Sequence, residues 1–186
     1  MKSSIANFSE IAPLKKVLMH RPGDEFLNLT PNTLERLLFD DIPYLKIAQQ
    51  EHDAYANALR AEGVEVVYLV DLAAEALEAG GRTVRKKFLE QFIDEAGVTS
   101  PKVAKHCFDY LNAIKDTKEM IKKCIAGIDI SELKKLGAIS GFYATRDTGR
   151  MIMDPIPNII EKDRLTSLGH LVIVLSSSGL LQYLTK

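Results

Sequence analysis

Two adjacent carboxylates and two of the four histidines of this sequence stand where their side chains could carry acid–base chemistry. Asp40 and Asp41 stand side by side after an apolar run, and paired carboxylates can act as general acid and general base. The same pair could instead cap a helix that begins at Pro43, and this second interpretation is favoured. His20 follows a predicted strand and precedes a turn, which suits a functional residue, but the sequence shows no partner for it. His52 could act as a base, although its apolar helical face favours packing into the core.

The two cysteines are the candidates for a nucleophile. Cys107 and Cys124 each lie in a strongly helical segment with apolar neighbours, which favours small buried core residues over reactive thiols. They form neither a disulfide framework nor a metal-ligand spacing, so a reducing compartment is predicted. The sequence also has no Gly-rich phosphate loop, no nucleophile elbow and no metal motif.

The elements that would position these residues begin with a strand, a helix and a second strand. Residues 14–20 are predicted to form a strand that ends at Pro22-Gly23, and a short helix is predicted to start at Thr30-Pro31. The next helix places apolar positions at spacings of three and four, namely Leu45, Ala48, His52, Tyr55 and Leu59. Gly63 is predicted to end it, and residues 64–70 then read as a strand buried on most of its surface. This order predicts an α/β unit.

Residues 71–136 have the patterns of helices and no credible strand. Asp71 is predicted to cap a short helix that Gly80-Gly81 stops, and a second helix spans residues 83–95. A third follows Ser100-Pro101, a fourth is capped by Asp116 or Thr117, and a short fifth starts near residue 130. A short apolar strand is predicted at residues 151–153. The predicted divisions are therefore an α/β unit over 1–70, a helical insertion over 71–136, a return to the first unit over 137–158, and a tail over 159–186.

Composition excludes several classes of protein. The chain has 186 residues, of which 46% are apolar and 26% charged, and a formal net charge of −1. These values are typical of a soluble globular protein and offer no general attraction to nucleic acid or to an acidic membrane. No apolar run has the length of a signal peptide or of the roughly 18 residues that span a bilayer. A cytoplasmic protein with no nucleic-acid or membrane partner is therefore expected.

Three segments of the sequence resemble the N-terminal part of bacterial arginine deiminases. They are FSEIAPLKKVLMHRPG at 8–23, LERLLFDDIPYLKIAQQEHDAYANALRAEGVEVVYL at 34–69 and MDPIPN at 153–158. The resemblance implies a pseudo-fivefold α/β propeller of ββαβ-type modules, with a helical domain inserted after the first module. It also implies hydrolysis of L-arginine to L-citrulline and ammonia through a cysteine nucleophile, with a histidine and acidic residues handling protons, and with no metal or organic cofactor.

Carried over residue by residue, the resemblance assigns substrate contacts but no catalytic group. Leu38 matches the residue whose backbone carbonyl meets the α-amino group of the substrate, and Asn158 matches an asparagine near its carboxylate. Asp163 lies near the position of an aspartate that clamps the guanidinium. The family's arginine–aspartate order is reversed at Asp163-Arg164, and the family's aromatic residue after Asn158 is absent.

The regions that carry the nucleophilic cysteine and the catalytic histidine in the family have no counterpart in this sequence. The chain is therefore expected to be a truncated deiminase, inactive alone, with residues 159–186 as a frameshifted tail. Three alternatives stay open. The chain could be an inert remnant, or an interaction module that pairs with a complementary fragment or with itself. It could also be a relative of the amidinotransferases and agmatine deiminases.

Overall fold

The computed structural model describes residues 13–34, 37, 39–135 and 151–157. The chain begins with strand β1 (Lys16–Met19), followed by the short helix α1 (Pro31–Leu34), helix α2 (Leu45–Ala61) and strand β2 (Glu65–Tyr68). The two strands pair in parallel, with Lys16 opposite Glu65 and Met19 opposite Tyr68. A parallel pair needs a crossover connection, which α1 and α2 supply. The predicted strand–helix–strand unit is confirmed.

The start of α2 differs from its prediction. The helix begins two residues after Pro43, and its N-cap Tyr44 makes no side-chain capping hydrogen bond. Asp41 instead accepts a hydrogen bond at 2.7 Å from the backbone N–H of Ile42. The interpretation of Asp40 and Asp41 as caps is therefore wrong, because α2 starts at Leu45 and both aspartates lie in the loop before its N-cap Tyr44.

The buried face of α2 is also narrower than its pattern suggested. Ala56 is fully buried, whereas Tyr55 is 52% exposed. The other predicted inward residues are partly buried, namely Leu45, Ala48, His52 and Leu59. The prediction for Tyr55 is wrong because a two-stranded sheet covers only the arc of the helix centred near Ala56. Gly63 follows the helix with φ 78°, as predicted.

Four further described helices come after β2, and the first of them begins at the next residue: α3 (Leu69–Glu95), α4 (Pro101–Ala113), α5 (Thr117–Ala126) and α6 (Ile130–Lys135). Gly81 has φ 67° and ψ −165° and divides α3 into the two segments that the Gly80-Gly81 pair predicted. Two boundaries differ. The second strand ends at Tyr68 rather than at Val70, and Asp71 lies in the first turn of α3 rather than at its cap.

A second small sheet joins the end of this helical unit to the later chain. Strand β3 (Ile128–Asp129) pairs in antiparallel fashion with β4 (Met151–Met153). The strand at 151–153 is confirmed, but the prediction that residues 71–136 hold no strand is wrong. A two-residue strand has no periodicity to detect, and it exists only because a distant segment pairs with it.

Alternate residues of β1 point into two separate hydrophobic clusters, because side chains alternate across a strand. Leu18 joins the larger cluster, which is built mainly from α3, α4 and α5. Val17 and Met19 join a small cluster with Ala56 and Val64. The described part of the chain is thus a mixed α/β structure with many helices and few strands. None of its helices has the length and hydrophobicity that a bilayer span requires.

Candidate functional site

The three residues predicted to contact substrate, Leu38, Asn158 and Asp163, lie outside the described residues. Their described chain neighbours are Leu37 and Phe39 beside Leu38, and Pro157 beside Asn158. The site can therefore be built from the segments that lead to Leu38 and Asn158.

The turn after β1 is organised by a buried carboxylate. Glu25 is 2% exposed and accepts a hydrogen bond at 2.6 Å from the backbone N–H of Gly23. His20 Nε2 lies 2.9 Å from the same carboxylate oxygen. Sequence reasoning missed Glu25 as the partner of His20, since nothing in the sequence marks a glutamate as buried.

Helix α2 holds the same turn from the other side. Arg21 donates two hydrogen bonds of 2.8 Å to Asp53, and Gln49 Nε2 donates to the Pro22 carbonyl at 2.8 Å. The Arg21 guanidinium lowers the pKa of Asp53 to about 2. The His52 side chain is 10% exposed, and burial lowers its pKa. The prediction that His52 packs into the fold is confirmed, and its charged form is disfavoured there.

The segment next to Leu38 packs against this turn. The Phe26 and Phe39 rings meet edge to face with centroids 5.8 Å apart, a favoured geometry for aromatic pairs. The backbone N–H of Phe39 donates to the Leu34 carbonyl at 2.9 Å, and that of Leu37 donates to the same carbonyl at 3.1 Å. The backbone on both sides of Leu38 is therefore held at the end of α1.

The segment next to Asn158 docks on the end of α5. The backbone N–H of Ile156 donates to the Ile125 carbonyl at 2.8 Å, and Pro155 is fully buried beside it. Asn28, from the turn after β1, donates through Nδ2 to the Ala126 carbonyl at 2.6 Å. The turn after β1, on which Phe39 packs, and the segment next to Asn158 are thus attached to neighbouring carbonyls of one helix terminus.

Neither cysteine is placed to act as a nucleophile. Both are buried free thiols. Burial raises the pKa of Cys107 to about 11 and that of Cys124 to about 12. The thiolate is the reactive form, so the prediction that both are core residues is confirmed. Within the described residues, no group of three or more histidine, cysteine, aspartate or glutamate side chains could hold a metal ion.

A shallow groove of about 360 Å³ lies elsewhere, between the end of α3 and the start of α4. Its lining includes Ile93, Asp94, Val98, Lys105 and Phe108. Among the described residues of the convergence at α5, neither Asn28 nor Ile156 lines it, so the groove is separate from that convergence.

Comparison with known proteins shows which protein family this chain is similar to. A family profile described as arginine deiminase matches residues 35–176, a range that includes Leu38, Asn158 and Asp163. The chain is 49% identical over 163 residues to the arginine deiminase of Treponema denticola, which covers 87% of this chain and 40% of that relative. The arginine deiminase of Clostridium perfringens is 47% identical, with coverages of 87% and 39%. That of Borrelia duttonii is 44% identical, with coverages of 88% and 40%. The chain therefore spans about two fifths of the curated relatives that it matches.

Proposed function

The chain belongs to the arginine deiminase family, and we propose that it forms the substrate-contacting first part of an enzyme that hydrolyses L-arginine to L-citrulline and ammonia in the cytoplasm. The observation that carries the proposal is the convergence at the end of α5. There, Asn28 and Ile156 bind neighbouring carbonyls and draw together the segments that lead to Leu38 and Asn158.

Each proposed contact suits one end of arginine. The Leu38 carbonyl accepts a hydrogen bond from the α-amino group, and the Asn158 amide donates to the α-carboxylate. Asp163 faces the guanidinium, whose planar fork of N–H groups matches a carboxylate in geometry. Together these contacts would hold the amino acid by both ends and leave its guanidinium carbon open to attack.

The reaction itself needs a group that the described residues lack. A guanidinium is a delocalised cation and a poor electrophile, so a thiolate must attack its carbon, release ammonia and form a covalent amidino-thioether. A base then activates water, which displaces the thiolate and leaves citrulline. Cys107 and Cys124 are buried and their pKa values are raised. The nucleophile of the proposed enzyme therefore comes from outside this chain's described residues.

The fold that we propose for the whole enzyme is a pseudo-fivefold α/β propeller. Residues 1–70 would form its first ββαβ-type module, residues 71–136 an inserted helical domain, residues 137–158 the return to the propeller, and residues 159–186 a tail. Two observations support this division. The parallel pair of β1 and β2 leaves a further strand-pairing edge on each side within the described residues, and helix α3 begins at Leu69, directly after β2.

A citrulline assay tests the function. The purified chain with millimolar L-arginine is expected to yield no citrulline above a blank, because removal of a covalent nucleophile costs orders of magnitude in rate. Co-expression with the remaining three fifths of the Treponema denticola relative is expected to restore citrulline formation, with Leu38 and Asn158 contributed by this chain.

Two thiol variants serve as controls. Cys107→Ala and Cys124→Ala are expected to leave the activity of the co-expressed pair unchanged, because neither thiol reaches the substrate. Citrulline from the chain alone that disappears in either variant would contradict the proposal, and so would a pair that produces none.

A non-catalytic interaction module is the second candidate. The outer side of α2 carries large exposed side chains, with Tyr44 at 69%, Ile47 at 46% and Tyr55 at 52%. Exposed apolar groups grouped on one helix face are typical of a contact surface. In this alternative, the partner is a complementary deiminase fragment. Sedimentation of the chain with and without that fragment distinguishes it, because binding without citrulline formation would favour the module.

A further inference from the structure

The carboxyl end of α5 receives hydrogen bonds from two distant parts of the chain. The last carbonyls of a helix have no partners within the helix and must find them elsewhere. The Ile125 carbonyl accepts from the backbone N–H of Ile156 at 2.8 Å. The Ala126 carbonyl accepts from Asn28 Nδ2 at 2.6 Å, across 98 positions of sequence. Two long-range segments therefore share one attachment point.

Asn28 reaches this point from a turn that is itself well held. Its own N–H donates to the Asp24 carbonyl at 3.2 Å, and the N–H of Phe26 donates to the Gly23 carbonyl at 3.1 Å. Glu25, at the centre of the turn, is buried and bonded to His20 and Gly23. A side chain on such a turn can fix a distance, because its backbone has little freedom to follow a displaced partner.

The same turn fixes the segment next to Leu38. Phe26 packs on Phe39, so the position of the turn sets the position of Phe39. A continuous path of contacts consequently runs from Phe39 through Phe26 and Asn28 to the end of α5, and from there to Ile156 and Pro157.

We propose that Asn28 is a positioning residue for L-arginine. Its hydrogen bond to the Ala126 carbonyl sets the spacing between the segment that leads to Leu38 and the segment that leads to Asn158. The inference rests on the proposed function, since those two residues are the proposed contacts of the α-amino group and the α-carboxylate. It gives the helical unit a role in substrate recognition, because α5 becomes the fixed point between the two contacts.

Hydrogen exchange on the full chain tests the role of the Asn28–Ala126 hydrogen bond without an activity measurement. Asn28→Ala removes the donor, and Asn28→Asp places a carboxylate against a carbonyl. Both variants are expected to speed amide exchange at Phe39 and Ile156 by about fivefold, the equivalent of one ordinary hydrogen bond. The matched control is Asn57→Ala, which removes an exposed asparagine that accepts a hydrogen bond from Arg60 on the same helix. Unchanged exchange at both amides in the Asn28 variants would overturn the inference.

Kinetics of the co-expressed pair test the role in recognition. Asn28→Ala is expected to raise KM for L-arginine about fivefold while kcat stays within about twofold, because it disturbs ground-state contacts to the amino-acid end. Inhibition by butylguanidine, which has neither an α-amino nor an α-carboxyl group, is expected to stay unchanged.

The outcomes separate the two proposals. An unchanged KM for L-arginine in an active pair would overturn the role of Asn28, and so would an equal loss of butylguanidine inhibition, which indicates general damage to the fold. A wild-type pair that forms no citrulline contradicts the proposed function instead. The exchange rates of the chain alone then show whether the Asn28–Ala126 hydrogen bond holds the two segments in place.

Discussion

Gly127 is the residue whose type the structure explains most directly. It ends α5 with φ 79° and ψ 179°, a conformation that only glycine adopts readily. A Cβ at this position would clash with the Met153 carbonyl and would lie 2.8 Å from the Met151 Cε. Glycine therefore allows β4 to pack closely against the end of α5, next to the carbonyls that Asn28 and Ile156 occupy.

We expect Gly127→Ala to destabilise the chain more than Gly97→Ala. Gly97 also has a positive φ, of 75°, but apart from its chain neighbours nothing lies within 4 Å of the point that a Cβ would occupy. Its substitution therefore carries only backbone strain, about 1 kcal/mol. Gly127→Ala adds overpacking against Met153, a further loss of about 1–3 kcal/mol in the free energy of unfolding. Urea unfolding followed by circular dichroism measures both, and equal losses would contradict the close packing of β4.

At the scale of elements, two helix starts that look alike in sequence differ in their caps. Asp116 precedes α5 and accepts a hydrogen bond at 3.0 Å from the backbone N–H of Glu119. Ser100 precedes α4 and makes no capping hydrogen bond, although Pro101 follows it in the first turn. Both residues have the type expected of an N-cap, but the structure shows the capping bond only at Asp116.

We expect Asp116→Ala to lower the free energy of unfolding by about 1 kcal/mol, because it leaves the N–H of Glu119 without its acceptor. The matched substitution Ser100→Ala is expected to change stability by less than about 0.5 kcal/mol. Thermal unfolding of the two variants beside the wild type makes the comparison. A larger effect at Ser100 than at Asp116 would contradict this assignment of the caps.

For the whole molecule, the decisive feature is the unequal size of the two hydrophobic clusters. The larger cluster holds buried residues from α3 to β4 and buried Leu18 from β1, with partly buried Val67 of β2 packed against it. The smaller one holds four buried residues, namely Val17, Met19, Ala56 and Val64. Local stability follows the amount of buried apolar contact. The helical unit is therefore expected to be the more stable part of the chain against local unfolding.

We expect amide exchange in the isolated chain to be slower in α5 than in β2. Met120 and Ile121 lie at the centre of the larger cluster, whereas Val66 and Val67 sit in a two-stranded sheet and are only partly buried. Exchange followed by mass spectrometry on peptides from each element gives the comparison. Equally strong protection across residues 14–70 would show that the parallel unit is stable by itself.

Much of the fold was predictable because it depends on residues close together in sequence. The alternation at residues 14–20, the glycines at 63, 81 and 97, and the apolar spacing of α4 and α5 each have a local physical cause. The burial of Cys107 and Cys124 followed from their apolar helical context in the same way. Local patterns, however, placed the start of α2 two residues too early. They also predicted Tyr55 to be buried, because neighbours from elsewhere in the chain decide which arc of a helix is covered.

The family resemblance, the strand–helix–strand order and the positions of the helices can be read from the amino-acid sequence alone, since periodicity, turn residues and motifs are properties of short segments. The folded chain was needed to show that Glu25 is the buried partner of His20, that β3 exists, and that Asn28 binds the end of α5. No local pattern in the sequence marks the residues of these contacts as partners. Burying these polar groups would cost free energy if they stayed unpaired, and pairing across a fold is settled only when the chain has brought both partners together.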